Sequence, residues 1–342
     1  MNKICIFTVH HFIIRMKTLV ANFSKQLEEA ISIGNNAKLT TSTSTINNVL
    51  ICGLGGSGIG GSIVTELVVG NANVPINVTK GYFIPAYVNE NTLLIVSSYS
   101  GNTEETLNCM DLAIAKKAKI VAVTSGGKVA EKCKLNNFDC ILVPGGMPPR
   151  SCLGYSLTQL FFILSFHKII SNGFKTELVA AIKLINDQEA EIIAEAKQIA
   201  EKLKGKLPVI YATTYNEGIA IRFRQQLNEN SKVLCWHHII PEMNHNELVG
   251  WTQKNDHLSV LIFLDKDEYS RNLARVDINK EVIKNYASSI TEVYSKGNST
   301  IEKAIYFIHL GDWVSVLLAE IRQVDATEVN VINHLKSKLS EI

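Results

Sequence analysis

Residues 48–70 read NVLICGLGGSGIGGSIVTELVVG, and this stretch decides the fold. Val49–Cys52 is an apolar run that predicts a buried strand, and a glycine-rich turn follows over residues 53–61. A helical pattern then begins near Ile63. Glycines let backbone N–H groups approach a ligand, and the dipole of a helix favours negative charge at its N-terminus. Strand, turn and helix together therefore predict a site for an anion, first of all a phosphate.

The same turn also fits the dinucleotide-binding fingerprint G-x-G-x-x-G, through Gly53, Gly55 and Gly58. That fingerprint requires an acidic residue at the end of the next strand to hold the ribose. Here the next strand is PINVTKGY, and it delivers Lys80. This basic residue argues against a nicotinamide or flavin cofactor. A glycine turn that serves only packing is the other alternative.

Composition narrows the class of protein. The chain has 342 residues, enough for two domains, and a formal net charge of only +2, which does not indicate a nucleic-acid partner. No apolar run reaches the ~20 residues needed to cross a bilayer. None of the seven cysteines forms a C-x-x-C pair, and several lie in apolar runs, as reduced thiols of cytosolic proteins do. We therefore predict a cytoplasmic protein with neither a nucleic-acid nor a membrane partner.

The N-terminus has its own character. Residues 1–15, MNKICIFTVHHFIIR, are basic and apolar, but His10 and His11 interrupt the apolar part and no small-residue cleavage site follows, unlike a signal peptide. Met16 begins a more ordinary protein start. We expect residues 1–19 to be an N-terminal extension, of which the first 15 are an upstream addition, an extra strand or a disordered tail.

Beyond this extension, apolar strands alternate with helices, which predicts parallel sheets covered on both faces. The pattern occurs twice. NTLLIVSSYS at 91–100 aligns with HLSVLIFLDK at 257–266, and KIVAVTSGGKVAEK at 119–132 aligns with ITEVYSKGNSTIEK at 290–303. We therefore expect an α/β fold of two tandem flavodoxin-like domains, each with a five-stranded parallel sheet flanked by helices.

The predicted domain bounds are residues 20–172 and 205–342, joined by a charged helical connection at 173–204. In the second domain, the predicted strands include Val233–Trp236 and Ile305–Leu310, and a helix is expected from Trp313 to Ile321. Two such domains facing each other form a cleft, which is where small ligands commonly bind.

A second phosphate-type turn follows the next buried strand, in SSYSGNTEET at residues 97–106. Ser98, Ser100 and Thr103 supply hydroxyls beside the free N–H groups of a helix start, and both kinds of group bind phosphate oxygens. Alone, the segment also fits a capping box with Thr103 or Ser100 as the N-cap. Two such turns on neighbouring strands, with a third loop at Ser125–Gly127, favour a phosphate site.

At this point a family resemblance becomes specific. GLGGSGIGG, SSYSGNTEET and VAVTSGG, in this order, resemble the sugar isomerase (SIS) domain, a phosphosugar-binding fold. PRSCLGYS at 149–156, RQQLNENSK at 224–232 and PEMNHNELVGW at 241–251 resemble the bifunctional phosphoglucose/phosphomannose isomerase family, over nearly the whole chain from about residue 20. The resemblance implies a homodimer that interconverts glucose 6-phosphate or mannose 6-phosphate with fructose 6-phosphate, with no metal or organic cofactor.

The chemistry of that reaction fits the matching residues. Moving a carbonyl between C1 and C2 needs a base that carries a proton between two carbons, and Glu229 matches the family's base. Arg150 matches a cation that stabilises the cis-enediolate intermediate. His245 matches a ring-opening histidine that the family takes from the partner subunit, and Lys336 matches a lysine that assists ring opening. No His, Cys or Asp spacing indicates a metal site.

The resemblance also implies the residues that hold the substrate. The phosphate-binding set is Gly56, Ser57, Ser98, Ser100 and Thr103. Two further substrate contacts are Gly55 and Thr327. Here the chain departs from the family, because it reads Asp325-Ala326-Thr327 where the family usually reads D-P-T.

Two alternatives remain on the same fold. A non-catalytic phosphosugar sensor would keep the phosphate loops but lack Glu229 and His245. An amino-sugar phosphate isomerase or lyase would differ in its substrate. An assay with glucose 6-phosphate and mannose 6-phosphate discriminates between these hypotheses.

Overall fold

The computed structural model describes residues 16–342, so the predictions made for the first 15 residues lie outside the described residues. The N-terminal half has five strands and five helices of ten or more residues, preceded by a helical segment at 16–21. These elements are α1 (Phe23–Asn36), β1 (Asn48–Cys52), α2 (Gly55–Val68), β2 (Ile76–Thr79), β3 (Thr92–Ser97), α3 (Glu104–Ala115), β4 (Lys119–Thr124), α4 (Gly127–Asn136), β5 (Asp139–Leu142) and α5 (Leu153–Phe166).

The five strands of this half form one parallel sheet in the order β2-β1-β3-β4-β5. The central strand β3 is buried along its whole length, and β1 and β4 are nearly so, because helices cover both faces. This explains the continuous apolar runs in the sequence. The predicted five-stranded parallel sheet is confirmed for the N-terminal half.

Two helices, α6 (Phe174–Asp187) and α7 (Glu189–Leu203), lead to the C-terminal half. That half contains β6 (Leu207–Thr213), α8 (Glu217–Glu229), β7 (Trp236–Ile240), β8 (Asn255–Leu264), α9 (Ser270–Ile283), β9 (Ala287–Tyr294), α10 (Thr300–Arg322) and α11 (Asn330–Leu339). Its sheet is parallel, in the order β7-β6-β8-β9. The aligned repeats therefore occupy equivalent places in the two sheets. β3 and β8 lie beside the first strand of each half, and β4 and β9 lie one place further out.

The second sheet has four strands, so the prediction of five strands is wrong there. The predicted strand Ile305–Leu310 lies in the middle of α10, and the predicted helix Trp313–Ile321 is the continuation of that same helix. A capping box between Ser299 and Glu302 starts the helix three residues after Gly297. Because α10 is buried on nearly all sides, its apolar run lacks the periodicity that distinguishes a helix from a buried strand.

A smaller error concerns β7. The predicted strand Val233–Trp236 overlaps the observed strand only at Trp236, where β7 begins, and β7 runs on to Ile240. Of the helices in the described residues, α10 is long and apolar enough to cross a membrane, but 83% of its most apolar 18-residue window is buried within the protein. It packs against α6, α7 and α8 and is the core helix of the C-terminal half.

The two halves are joined by the antiparallel packing of α2 on α8. At one end, the backbone N–H of Gly218 donates to both carboxylate oxygens of Glu66, at 2.9 and 3.0 Å. The absence of a side chain at Gly218 allows the close approach, because a Cβ would lie 3.0 Å from the side chain of Ile63 and 3.2 Å from its Cα. At the other end, the glycine turn that starts α2 lies near Glu229, the last residue of α8. This packing places the carboxyl edge of the first sheet beside the amino edge of the second.

Candidate active site

The three predicted phosphate-type loops lie together at the carboxyl edge of the first sheet. Tyr99 joins them through its backbone: its N–H donates to the Ser57 hydroxyl oxygen at 2.9 Å, and its carbonyl accepts from the backbone and hydroxyl of Ser125, at 2.9 and 2.6 Å. Gly101 completes the contact, since a Cβ there would lie 1.8 Å from the carbonyl oxygen of Gly126. The loops therefore form one fixed surface.

The starts of helices α2 and α3 leave donors available on this surface. Leu54 and Thr103 occupy the two N-cap positions, and neither makes a side-chain capping bond. The capping-box interpretation of SSYSGNTEET is therefore wrong. Ser98 is buried and donates to Thr103 at 3.3 Å, whereas Ser100 is exposed. Backbone N–H groups without a side-chain acceptor, next to hydroxyls, form a suitable cradle for a phosphate.

Arg150 lies where the two halves meet, in a short 3₁₀ turn before α5. Only 3% of it is exposed. Its Nε donates to Oδ1 of Asn230 at 2.6 Å, one Nη lies 3.3 Å from the Glu229 carboxylate, and the other donates to the carbonyl of Ala326 at 2.5 Å. Burial lowers the pKa of Arg150 and the Glu229 charge opposes that shift, but a guanidinium stays charged at neutral pH.

Gly56 fixes the place of Arg150 relative to the glycine turn. A Cβ on Gly56 would lie 3.0 Å from the carbonyl oxygen of Pro149 and 3.2 Å from the Cα of Arg150. The backbone of the turn and the backbone of Arg150 are thus in close contact. Two sequence-predicted groups, the phosphate loop and the enediolate-stabilising cation, are therefore adjacent.

Glu229 ends α8, and its side chain is 28% exposed, so its carboxylate faces both Arg150 and open space. The next cation, Lys232, donates to the backbone carbonyls of Glu229 and Glu328, at 2.5 and 2.7 Å. Burial lowers the pKa of Lys232, and the positive charge of Arg150 adds to that effect. The Glu229 carboxylate therefore lies near two cations, at a helix end that faces solvent.

Thr327 lies between two anchor points on the segment before α11. Arg150 holds the carbonyl of Ala326 on one side, and Lys232 holds that of Glu328 on the other. The hydroxyl and the N–H of Thr327 both donate to the Asp325 carboxylate, at 2.7 Å each. The structure thus places Thr327 within this group of residues.

A buried polar network behind Arg150 was not predicted from the sequence. Arg222 and Gln226 on α8, and Asn230 directly after it, share one face at spacings of four. On α10, the Asp312 carboxylate accepts from Arg222 at 2.8 Å and from Gln226 at 2.6 Å, while the Ser315 hydroxyl accepts from Asn230 at 2.9 Å. The signal was polar residues at i, i+4 and i+8, but the sequence does not show which distant residues accept from them.

His245 and Lys336 are not brought to this group within the chain. His245 follows β7, at the carboxyl edge of the second sheet, and Glu229 lies at the amino edge, one helix length away. The 13 residues of α8 span about 20 Å. His245 is exposed, and its side chain makes no hydrogen bond to a described residue. Lys336 is exposed on α11, and its ammonium likewise contacts no acceptor among residues 16–342.

An open cavity of about 410 Å³ lies on the other side of Glu229, between the end of α8 and the start of α11. Most of its lining is apolar, and none of the phosphate-loop residues contributes to it. The lining residues are Asn228, Glu229, Lys232, Val233, Leu234, Glu328, Val329, Val331 and Ile332. Residues 16–342 contain no group of three or more His, Cys, Asp or Glu residues placed to hold a metal.

Comparison with known proteins identifies the family. A family model described as the bacterial phospho-glucose isomerase C-terminal SIS domain matches residues 192–339. The bifunctional phosphoglucose/phosphomannose isomerase of Caldicellulosiruptor bescii is 39% identical, over 94% of this chain and 98% of that protein. The chain belongs to this family. Its Aquifex aeolicus member is 35% identical, over 86% of this chain and 90% of that protein.

The fold has solved counterparts. The C-terminal domain of glucosamine-fructose-6-phosphate aminotransferase from Francisella tularensis superposes with a TM-score of 0.72. It covers 92% of this chain and 98% of that one, at 14% identity, and so shows the fold alone.

The contact between the glycine turn and Arg150 generates a prediction. Gly56→Ala would force a Cβ against the backbone of Pro149 and Arg150, and the guanidinium would move with it. A small misplacement of a catalytic group costs about 10- to 100-fold in rate, so we expect a loss of isomerase activity in that range.

Gly60→Ala on the same helix is the matched control. Its nearest contacts would be side-chain atoms of Leu153 and Ser156 at 3.4 Å, which are ordinary. Both variants should be folded, as a cooperative thermal unfolding transition would show. Equal activity of the two variants would mean that the turn does not position Arg150.

Proposed function

We propose that the protein is an aldose–ketose isomerase that interconverts glucose 6-phosphate and mannose 6-phosphate with fructose 6-phosphate. One observation carries the proposal: the Glu229 carboxylate and the buried Arg150 guanidinium lie 3.3 Å apart, beside a surface built from three phosphate-type loops. The family of the chain supports the substrate class. We also propose domain bounds at residues 20–172 and 205–342, joined by residues 173–204.

The phosphate of the substrate is expected on the loops of the first half. Backbone N–H groups at the starts of α2 and α3 and the hydroxyls of Ser57, Ser98, Ser100 and Thr103 would hold it, with Gly55 and Gly56 allowing close approach. The sugar chain then extends toward Glu229 and Thr327. Binding the phosphate fixes C1 and C2 near the carboxylate without any chemistry at the phosphate itself.

Glu229 acts as the base in this proposal. It removes the proton from C2 of the open-chain aldose, and negative charge develops on the C1 oxygen of a cis-enediolate intermediate. The same carboxylate then returns the proton to C1 while the proton of the C2 hydroxyl passes to the C1 oxygen, which leaves a carbonyl at C2 and a hydroxyl at C1. Arg150 is fixed and desolvated next to the intermediate, and a preorganised cation in a dry site stabilises developing charge more strongly than water does. No metal or organic cofactor is required for these steps.

The opposite positions of Glu229 and His245 support a homodimer with shared sites. Because α8 separates the two residues by about 20 Å, His245 would open the sugar ring in the site of a second copy. The C-terminal helix α11 supports the same arrangement. It exposes Val331, Leu335 and Leu339 at spacings of four, and the apolar cavity at its base also exposes Leu234. A second copy would cover this apolar surface and position Lys336.

The direct test of the function is a coupled assay of the purified protein. We expect conversion of both glucose 6-phosphate and mannose 6-phosphate to fructose 6-phosphate, at rates unchanged by EDTA. Failure with both aldose phosphates would support the sensor or amino-sugar alternatives. Inhibition by the chelator with recovery on adding zinc would contradict the metal-free mechanism.

A second prediction concerns the base. Glu229→Gln keeps the size and the hydrogen-bonding oxygen but cannot accept the proton, so isomerisation should fall by about 10²- to 10⁴-fold, while sugar phosphate still binds. Exchange of the C2 hydrogen with solvent should stop in parallel. The measurement is NMR in D₂O, following the C2–H signal together with ketose formation.

The matched control is Glu247→Gln. Glu247 lies in the NHNE sequence that contains His245, and its carboxylate is bound by Tyr211 at 2.5 Å and Trp236 at 3.1 Å. Deuterium incorporation at a near-normal rate in Glu229→Gln, with its loss in Glu247→Gln, would transfer the role of base to Glu247.

A further inference from the structure

We infer that Asn230 is a positioning residue that orients Arg150 without neutralising it, an inference that rests on the proposed isomerase function. Asn230 follows the base Glu229 in the chain and is fully buried. It would act through the guanidinium of Arg150 and would not touch the substrate.

The orientation of Arg150 is fixed by its hydrogen bonds. The shortest side-chain contact of its guanidinium is the 2.6 Å bond from Nε to Oδ1 of Asn230. A bond to Nε fixes the plane of the group, and the bond from an Nη to the Ala326 carbonyl fixes its rotation in that plane. A guanidinium has five N–H donors, and described residues accept from three of them. Two remain for an anionic ligand.

The positive charge of Arg150 is only partly neutralised by its hydrogen-bond acceptors. Of the three acceptors on Arg150, two are neutral, namely the amide of Asn230 and the backbone carbonyl of Ala326. Only Glu229 is anionic, and it lies at 3.3 Å, the longest of the three contacts. A neutral acceptor on Nε holds the cation in place and leaves its charge available for the enediolate. An aspartate at position 230 would have the same shape and would neutralise the charge in a buried site.

The side chain of Asn230 is itself held in place by hydrogen bonds. Its Nδ2 donates to the Ser315 hydroxyl at 2.9 Å, and that hydroxyl donates to the backbone carbonyl of Asp312 at 2.7 Å. The amide therefore has one orientation, with its oxygen toward Arg150. Arg222 completes the arrangement, since it pairs with the Asp312 carboxylate and donates to the Arg150 carbonyl at 2.7 Å. Helix α10 thus holds both the backbone and the side chain of Arg150 in place through α8.

The experiment compares Asn230→Asp with Asn228→Asp. Asn228 belongs to the same motif, but its amide donates to the backbone carbonyl of Val233 and does not contact Arg150. In Asn230→Asp we expect kcat to fall by about 100-fold, as for loss of one charge-stabilising group, with KM nearly unchanged. Asn228→Asp should stay within about threefold of the wild-type kcat, because no group that stabilises the transition state is altered.

A binding measurement separates orientation of the cation from general stability. The probes are fructose 6-phosphate and a five-carbon phosphorylated aldonate, whose carboxylate mimics the enediolate. Wild-type protein should bind the aldonate more tightly, since transition-state mimics exploit the groups that act in the transition state. Asn230→Asp should lose this preference but keep its affinity for fructose 6-phosphate. Ser315→Ala, which only frees the amide to rotate, should lose part of it.

The outcomes are distinguishable. If the wild-type protein converts neither aldose phosphate, the proposed function fails and the inference fails with it. If the wild-type protein is active, and folded Asn230→Asp keeps both its kcat and its preference for the aldonate, the inference alone is overturned. The same result follows if Asn228→Asp loses as much activity as Asn230→Asp. Where Asn230→Asp does not fold, Ser315→Ala decides, and an unchanged preference for the aldonate overturns the inference.

Discussion

The structure depends on how Arg150 is held at the joint between the two halves of the chain. The residue belongs to the N-terminal half by sequence, yet its side-chain partners come from the end of α8 and the segment before α11. Burying a cation is costly unless its donors are satisfied, and these partners satisfy it only when the two halves are correctly packed. The same contact therefore fixes the relation of the two sheets and places the cation beside Glu229.

The packing of the halves also determines which groups each half presents at the joint. The first sheet presents its carboxyl edge, where helix starts and glycine turns suit an anion. The second sheet presents its amino edge, where α8 ends and supplies a carboxylate. The antiparallel contact of α2 with α8 brings these two edges together, and Gly56 and Gly218 allow the close approach at its two ends. In the proposed mechanism, phosphate binding and proton transfer therefore belong to different halves of the chain, and the packing brings the two together.

Much of this arrangement was predictable from the sequence, because it depends on local patterns. The glycine turn after β1 and the serine-rich turn after β3 each follow a buried strand, so their place at one edge follows from a parallel sheet. The four-stranded second sheet was not predictable, since an apolar run inside a fully buried helix has no distinguishing period. The Asn230–Ser315 contact was missed for a different reason, because it joins residues 85 positions apart. The separation of Glu229 from His245 could not be predicted either, because it depends on the order of the strands in the second sheet.

We propose that each active site combines Glu229 of one chain with His245 of another. Mixing Glu229→Gln with His245→Ala protein under conditions of subunit exchange tests it directly. Each variant alone should be nearly inactive. In a random mixture about half of the dimers carry both variants, and each of these has one intact site, so about a quarter of the wild-type activity should return. Absence of recovery, with subunit exchange demonstrated independently, would place both residues in the site of one chain and contradict this account.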